Sequence, residues 1–308
     1  MSKHTLGLVK KLVIAKAILV VLNELVTLVA NVLNLLHIVL NYFLSGRICK
    51  MDMWKSKFEI KKDRWVFIPS DEMSRYGKGL HKLLLSRWRV PLYYYHMRDG
   101  GHIAAARVHL KNDYFSLIDI SNFFESTSQS RVTRELKTLL PYEEARRIAK
   151  ISTVRVPKKQ EKKFAVPYGY PQSPILATLC LRNSHAGHIL DRIYKSGVVS
   201  VSVYMDDIIV SGKDLNVVYE KFKELCKALE KSRYHLNNVK TQPPSKSIVA
   251  FNLEISHKAI KVTSKRLVQF LQVFTQSKNK HEREGIAMYV HSVNPEQAKC
   301  HFPKKSTS

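Results

Sequence analysis

The stretch VSVSVYMDDIIVSG, residues 199–212, places two adjacent carboxylates inside an apolar, β-branched run. Every second residue from 199 to 203 is valine, which is the period of a half-buried strand, and residues 208–210 predict a second strand. Asp206 and Asp207 therefore fall on a tight bend between two buried strands. Neighbouring negative charges at such a bend repel each other unless a cation or a basic group offsets them. The alternative is an acidic β-turn exposed to water.

A third carboxylate lies in a second apolar run, DYFSLIDISNFFES, residues 113–126. Phe115, Leu117 and Asp119 share one face of the strand that this run predicts. A carboxylate on an apolar strand face is costly unless it is paired or coordinated. Hard divalent cations such as Mg²⁺ take oxygen ligands from a few carboxylates, so Asp119 fits as the third member of the group at the bend. Two such ions can activate an attacking oxygen and stabilise a leaving one.

The charge of the chain favours a polyanionic partner. Lys and Arg number 51 and Asp and Glu 25 among 308 residues, a formal net charge of +26. A basic protein of this size gains from counterion release on nucleic acid, although ribosomal and membrane-surface proteins carry similar charge. The cysteines lie far apart and form no CxxC pair, which argues against a zinc site or a disulfide framework and predicts a reduced, cytoplasmic setting. They are Cys49, Cys180, Cys226 and Cys300.

Residues 12–44 are the most apolar segment, and no Asp, Glu, Lys or Arg occurs from Leu25 to Gly46. Apolar residues nevertheless repeat with a heptad period, while the polar residues fall on the remaining face. This pattern predicts a long amphipathic helix that joins copies of the chain or binds a partner chain. The alternatives are packing within the chain, a membrane anchor and a signal sequence.

Basic residues are concentrated between the two carboxylate motifs. Residues 146–163 hold eight of them against Glu161 alone. A solvated charged surface is the ordinary explanation, but like charges in one stretch repel unless a polyanion screens them. The stretch therefore predicts a nucleic-acid-binding surface. Its members are Arg146, Arg147, Lys150, Arg155, Lys158, Lys159, Lys162 and Lys163.

Residues 89–109 carry three consecutive tyrosines and then a Gly-Gly turn flanked by basic side chains. The pattern leaves two interpretations open, a solvated hairpin and a finger that faces phosphate groups. The basic side chains are Arg98, His102 and Arg107.

The remaining segments predict the elements around the carboxylates. Residues 164–181 form a Pro/Gly loop that leads into a helix running to about Tyr194, and Gly197 is its stop signal. Asp214 is placed to cap the following helix, and the loop that carries Lys240 precedes a strand.

The order of these motifs resembles that of reverse transcriptases over roughly residues 60–300. A lone YxDD is a weak signal, but five motifs in the correct order and spacing are a strong one. Short bacterial enzymes of the retron, abortive-infection and defence-associated groups are the most similar in length. The absence of NAxxH and VTG favours the defence-associated group over true retrons. The matching motifs are DISNFF (119–124), VPYGYPQSP (166–174), YMDD (204–207), HLNNVKT (235–241) and FNLEIS (251–256).

The resemblance implies an α+β fold of the right-hand polymerase type, with fingers, a ferredoxin-like palm and a short helical thumb, preceded by the long amphipathic helix. We expect no protease, integrase, ribonuclease H or endonuclease segment. The implied division is 1–50 for the assembly helix, 51–113 for the fingers, 114–260 for the palm with an inserted fingers segment at about 130–172, and 261–308 for the thumb and tail.

The resemblance also assigns roles to residues. It implies two Mg²⁺ ions, with Mn²⁺ as a possible replacement, held by Asp119, Asp206, Asp207 and the backbone carbonyl of Ile120. Lys240 matches the lysine that protonates leaving pyrophosphate. The residues expected beside the incoming nucleotide are Phe124, whose ring would exclude a 2′-hydroxyl, Tyr168 and Gly169, and, in the region that grips the triphosphate, Arg98, His102 and Arg107.

One position departs from the family pattern, because Tyr168 stands where a glutamine is usual. A bulkier phenol beside the nucleotide would alter template or base selection, or it would merely fill the same space. The sequence leaves both interpretations open.

We therefore expect an RNA-directed DNA polymerase that uses deoxynucleotides, makes a DNA product and copies a dedicated non-coding RNA in an antiphage defence system. One alternative is an inactive or template-light polymerase-fold subunit that binds RNA within an assembly. The presence of all three carboxylates and Lys240 weighs against it. A membrane-associated basic protein is a third interpretation.

Overall fold

The structure is a computed structural model, and it describes residues 53–61, 64–157 and 163–302. The helix predicted for residues 12–44 lies outside the described residues, and so do Lys158, Lys159 and Lys162. Among the helices of the described ranges, none combines the length and the apolar character needed to cross a bilayer.

The described residues fold into a mixture of antiparallel strands and helices, which confirms the predicted α+β class. The strands are β1 (Trp54–Lys61), β2 (Arg64–Pro69), β3 (Tyr114–Ser121), β4 (Val154–Arg155), β5 (Phe164–Ala165), β6 (Ser200–Tyr204), β7 (Asp207–Gly212), β8 (His235–Leu236), β9 (Gln242–Ser245), β10 (Ser247–Ala250), β11 (Leu253–Ser256) and β12 (Ala259–Val262). The helices are α1 (Asp71–Arg87), α2 (Gly101–Arg107), α3 (Gln129–Leu136), α4 (Tyr142–Ile151), α5 (Ser173–Arg182), α6 (His185–Ser196), α7 (Leu215–Lys231), α8 (Ser264–Gln276), α9 (Lys280–Val293) and α10 (Pro295–His301).

A central antiparallel sheet has the order β6-β7-β3-β8, and β9 pairs with β3 beside β8. Strand β6 forms because valine alternates with serine, and Val201 and Val203 are buried. Strand β7 is instead a continuous apolar run that is buried from Ile208 to Val210. The two strands are joined by a two-residue bend, since Tyr204 pairs with Asp207. The two strands predicted around the carboxylate pair are thus confirmed.

Strand β3 is buried on both faces, so it is apolar along most of its length. Ile118 and Ile120 pack with helices α6 and α7 in one core cluster. Phe115 and Leu117 pack on the opposite face, with strands β10–β12 and helices α9 and α10. The predicted face shared by Phe115, Leu117 and Asp119 therefore forms, and Asp119 continues an apolar row.

Two segments differ from their predictions. The helix expected to run to Tyr194 is two helices, α5 and α6, because Ser184 caps a new start by accepting from Gly187 N at 3.2 Å. The hairpin considered for residues 89–109 does not form, since this segment contains a 3₁₀ turn and helix α2. Tyr93 and Tyr94 are fully buried there, because the core takes up their rings.

Other predicted signals are confirmed. Gly197 ends α6 with a left-handed φ of 67°. Asp214 Oδ1 accepts from Val217 N at 3.0 Å and caps α7.

Candidate active site

Antiparallel pairing brings two of the predicted carboxylates together at the end of the central sheet. Asp119 on β3 lies directly opposite Asp207 on β7. Asp206 precedes Asp207 in the bend between β6 and β7. Asp119 is 3% exposed, so its carboxylate has little access to bulk water. The three acidic residues predicted as a group therefore lie at one end of one sheet.

The backbone around this group is tied down by hydrogen bonds from several segments. Ile120 N donates to the carbonyl of Asp206 at 2.8 Å. Asn237 N donates to the carbonyl of Asp119 at 2.9 Å, and Asp119 N donates to Thr241 Oγ1 at 3.2 Å. The loop after β8 is thus fixed to the strand that carries Asp119.

Lys240 contacts the group directly. Its Nζ donates to Asp119 Oδ2 at 2.8 Å, and its side chain is 57% exposed while that of Asp119 is 4% exposed. This hydrogen bond raises the pKa of Lys240, and the charges of Asp207 and Asp206 add to the effect. Lys240 is therefore a protonated donor that reaches from solvent to the buried carboxylates.

The carboxylates at the bend are electrostatically costly as anions. Burial, together with the charges of Asp206 and Asp119 and against the opposing charge of Lys240, raises the pKa of Asp207 to about 8. Burial also raises the pKa of Asp206, with Asp119 acting in the same direction and Lys240 and Arg64 opposing it. A divalent cation would offset this repulsion, so the donor set gains from binding one.

Carboxylate oxygens are the ligands that Mg²⁺ and Mn²⁺ prefer, and Mg²⁺ commonly takes only one or two from protein while water and substrate phosphates supply the rest. Within the described ranges, no three His, Cys, Asp or Glu side chains converge into a complete metal-binding group. The residues present fit a cation shared with a phosphate-bearing substrate. The residues that would hold it are Asp119, Asp206 and Asp207.

Phe124 and Tyr168 form an aromatic pair beside this group. Their ring centroids are 4.7 Å apart at 89°, an edge-to-face contact. Burial, opposed by the charge of Arg64 and reinforced by the charges of Asp206, Glu125 and Asp119, raises the pKa of Tyr168 to about 12. The carboxylate charges therefore act on the Tyr168 phenol. The residue that departs from the family pattern lies within the site.

Gly169 is required by the path of the chain next to Tyr168. Its φ is 106°, and a Cβ at this position would lie 2.2 Å from the carbonyl oxygen of Phe67. Phe67 N donates to the carbonyl of Tyr168 at 2.9 Å. The β1–β2 hairpin is thus joined to the loop that carries the aromatic pair.

Arg64 is a site residue that the sequence analysis missed. Its guanidinium lies 5.1 Å from the centroid of the Tyr168 ring, and its charge lowers the pKa of both Tyr168 and Asp206. The available signal was the basic cluster KKDR, residues 61–64 of the sequence. Its distance along the chain from the carboxylate motifs concealed its position.

The three basic residues that are expected near the triphosphate make their contacts with other groups. Arg98 donates to the carbonyl of Leu92 at 2.7 Å and lies over the ring of Tyr95. Arg107 donates to the carbonyl of Ser292 at 2.5 Å. The Nε2 atom of His102 lies 3.0 Å from the Tyr289 hydroxyl. The His102 side chain also lines a cleft of about 630 Å³, together with Tyr204 and Phe251. These contacts connect the segment around α2 to α9 and to its own loop.

The predicted basic surface is described in part. Exposed members lie on α4, on β4 and before β5, namely Arg146, Lys150, Arg155 and Lys163. Arg147 is partly buried on α4, and its charge lowers the pKa of Tyr76. The described members thus stay at or near the surface.

Carboxylate oxygens beside lysine and arginine side chains are suited to hard cations and to phosphate groups. Residues 56–283 match the family described as Reverse transcriptase (RNA-dependent DNA polymerase). This match spans well over half of the chain, and the chain belongs to the reverse transcriptase family. The resemblance stated from the motifs is confirmed at this level.

A curated relative is the Retron Se72 reverse transcriptase of Salmonella heidelberg (strain 579083-10). The two sequences are 24% identical over 235 residues, which are 72% of this chain and 60% of the relative. The chain thus spans about three fifths of the length of that protein.

Solved structures also show similarity. One is the foamy viral protease-reverse transcriptase in complex with double-stranded DNA, with a TM-score of 0.42 and 17% identity over 73% of this chain and 33% of that chain. Another is telomerase from Candida albicans in complex with a fragment of telomeric RNA, with a TM-score of 0.47 and 12% identity over 74% of this chain and 47% of that chain.

Proposed function

We propose that this chain is an RNA-directed DNA polymerase that adds deoxynucleotides to a primer end by nucleotidyl transfer with two divalent cations, Mg²⁺ or Mn²⁺. The observation that carries the proposal is the pairing of Asp119 with Asp207 across neighbouring strands, with Lys240 Nζ 2.8 Å from Asp119. Membership of the reverse transcriptase family supports the same chemistry.

The proposed metal ligands are Asp119, Asp206, Asp207 and the carbonyl of Ile120. Bound cations would lower the pKa of the primer hydroxyl and neutralise charge on the transferred phosphate. The primer hydroxyl gives its proton to solvent water, and its oxygen forms a bond to the α-phosphorus while the bond from that phosphorus to the oxygen of the leaving pyrophosphate breaks. Lys240 is protonated and donates its proton to the leaving pyrophosphate.

The proposed nucleotide site lies against Phe124, Tyr168 and Gly169. Phe124 excludes ribonucleotides because its ring fills the space of a 2′-hydroxyl, and the edge-to-face contact with Tyr168 supports a fixed ring. Arg64 joins the residues proposed to bind the triphosphate, because its charge already acts on Asp206. The other proposed members of that group are Arg98, His102 and Arg107.

The template is proposed to be RNA, bound in part by the basic surface. Its described members are exposed or partly buried cations, and the chain has a net charge of +26. By analogy with the short bacterial reverse transcriptases that the motifs resemble, the RNA is proposed to be a dedicated non-coding RNA and the chain to act in antiphage defence in the cytoplasm. Assembly with further copies or a partner chain through residues 12–44 completes the proposal.

The proposed division of the chain keeps the predicted limits. The fingers are 51–113 with the inserted segment at about 130–172, the palm is 114–260, and the thumb and tail are 261–308. The central sheet within the palm range and helices α8–α10 after it support this division.

The test is primer extension on an RNA template with labelled deoxynucleotides, with Mg²⁺, with Mn²⁺ and with a chelator. We expect cation-dependent DNA synthesis, and sequencing of copurified nucleic acid should return one RNA species and its DNA copy. Tight RNA binding with no synthesis under any of these conditions would instead favour the inactive assembly subunit.

A further inference from the structure

The bend that carries the carboxylate pair contains a strained residue. Met205 has a φ of 57°, a left-handed backbone conformation that residues other than glycine rarely adopt. Such a conformation persists only where surrounding contacts impose it. Something must therefore hold Met205 in this conformation.

The backbone N–H of Met205 donates to Nδ1 of His96 at 2.9 Å. His96 lies in the turn before α2, far along the chain from the bend. On the other side of the bend, the carbonyl of Asp206 accepts from Ile120 N at 2.8 Å. The N–H of Met205 and the carbonyl of Asp206 are thus held from opposite sides, while the side chains of Asp206 and Asp207 are left to act.

The hydrogen bond from Met205 fixes the protonation state of the ring. Because a backbone N–H can only donate, Nδ1 must accept, and Nε2 of the neutral ring carries the proton. Nε2 lies 2.6 Å from Thr178 Oγ1, and the Thr178 hydroxyl in turn donates to the carbonyl of Pro174 at 2.7 Å. Donors and acceptors therefore match along the whole chain from the bend to helix α5.

The surroundings keep the ring neutral and in place. Burial lowers the pKa of His96 to about 4. The rings of Tyr94 and Tyr204 meet it edge to face, each with a centroid 5.9 Å away. A protonated ring could not accept from Met205, so the neutral form is the one that supports the bend.

We propose that His96 is a positioning residue of the polymerase site, which sets the Met205 peptide and thereby the placement of the Asp206 and Asp207 carboxylates. This inference rests on the proposed function. It adds a residue that contacts neither substrate nor cation and acts through the backbone of the bend.

Two substitutions separate the two hydrogen bonds of the ring. His96→Asn keeps an amide oxygen two bonds from Cβ, where Nδ1 accepts from Met205, and loses the contact with Thr178. His96→Gln keeps an amide group three bonds from Cβ, where Nε2 meets Thr178, and lacks the acceptor at Met205. Thr178→Val leaves the ring intact and removes its outer partner, together with the hydrogen bond that the hydroxyl donates to the Pro174 carbonyl.

Each variant is measured by kcat and KM for a deoxynucleotide, by Mn²⁺ binding from the electron paramagnetic resonance of free Mn²⁺, and by the thermal unfolding midpoint. We expect His96→Gln to lower kcat by about 10- to 100-fold with little change in KM and to weaken Mn²⁺ binding. His96→Asn should keep kcat and Mn²⁺ binding near the parental values, and Thr178→Val should lie between. The unfolding midpoints should not follow this order.

Equal kcat and equal Mn²⁺ binding in the Asn and Gln variants would overturn the inference, and so would losses that simply follow the unfolding midpoints. If the parental chain extends no primer, the proposed function fails, and the Mn²⁺ comparison still decides the role of His96. If His96→Gln does not fold, Thr178→Val decides: a lowered kcat at an unchanged midpoint supports the role, and parental values contradict it.

Discussion

His109 is fully buried behind the central sheet, where it joins the two strands that carry the carboxylate bend. Its Nδ1 lies 2.6 Å from Ser211 Oγ on β7, and its Nε2 lies 2.8 Å from Ser202 Oγ on β6. Burial lowers the pKa of His109 to about 3. The neutral ring is therefore part of the folded state.

This burial predicts acid sensitivity. Because the pKa in the folded state lies below that of the unfolded chain, near 6.5, His109 costs no stability above pH 6.5. Below pH 6.5 it should lower the free energy of unfolding by about 1.4 kcal/mol per pH unit as the pH falls toward its folded pKa. Urea unfolding at pH 7 and pH 5 measures the difference, which His109→Gln should reduce. The highly exposed His281 supplies the control, and an equal pH dependence in His109→Gln and His281→Gln would refute the prediction.

Phe124 determines the choice of sugar if the proposed nucleotide site is correct. Phe124→Ala should reduce the preference for dGTP over GTP by at least about 10-fold, because the ring no longer blocks the 2′-hydroxyl. Competition between the two nucleotides in primer extension measures the ratio. An unchanged ratio would show that discrimination lies at another residue.

At the scale of residues, the two-residue period of the strands was enough to predict which carboxylates lie together. Alternation with Phe115 and Leu117 fixed the face of Asp119, and antiparallel pairing then set it opposite Asp207. Arg64 and His96 reach the site through tertiary packing, which no local pattern records. For the same reason the contacts of Arg107 with α9 were not foreseen.

The β1–β2 hairpin is the element that closes one side of the site. Every residue of β1 is exposed, whereas β2 contributes the buried Phe67 and a bridge from Val66 to Tyr168. The stability of this junction depends on a close approach of two backbones, for which Gly169 leaves room. The hairpin and the aromatic pair should therefore move as a unit.

Gly169→Ala should destabilise the fold by at least about 2 kcal/mol, since the added Cβ meets the carbonyl of Phe67 and the positive φ disfavours alanine. Gly79→Ala is the matched control. Gly79 is exposed within α1 and a Cβ there meets nothing within 4 Å, so alanine should stabilise by about 0.5–1 kcal/mol. Thermal unfolding compares them, and the opposite order would contradict this account.

At the scale of elements, the ends of the helices were harder to predict than the presence of the helices. Helix α7 began as predicted because Asp214 is a strong cap. The break between α5 and α6 depends on Ser184, a cap that lies inside a continuous helical pattern and was therefore overlooked. The 3₁₀ turn and α2 replaced a hairpin because the core buries Tyr93 and Tyr94.

For the molecule as a whole, the excess of basic residues predicts salt-dependent RNA binding. Replacing Arg146, Lys150 and Arg155 with alanine should weaken binding alike for different RNA sequences, and it should reduce the slope of log K against log salt by about 0.7 for each lost contact with single-stranded RNA. Lysines 223, 227 and 231, exposed on α7, give a control of equal charge change. Equal slopes for the two triple variants would place the RNA elsewhere.

The dependence of DNA synthesis on the paired carboxylates is the most direct test of the proposed polymerase activity. Primer extension on an RNA template should be compared for the parental chain, for Asp206→Asn with Asp207→Asn, and for Asp113→Asn. Asp113 precedes β3 at the end opposite Asp119, where it contacts Lys213 and His257, so it controls for loss of a carboxylate outside the site. We predict parental synthesis in Asp113→Asn and a loss of at least about 1000-fold in the folded double variant, because two of the proposed metal ligands lose their charge while the shape is kept. A folded double variant that extends the primer at the parental rate would contradict the account.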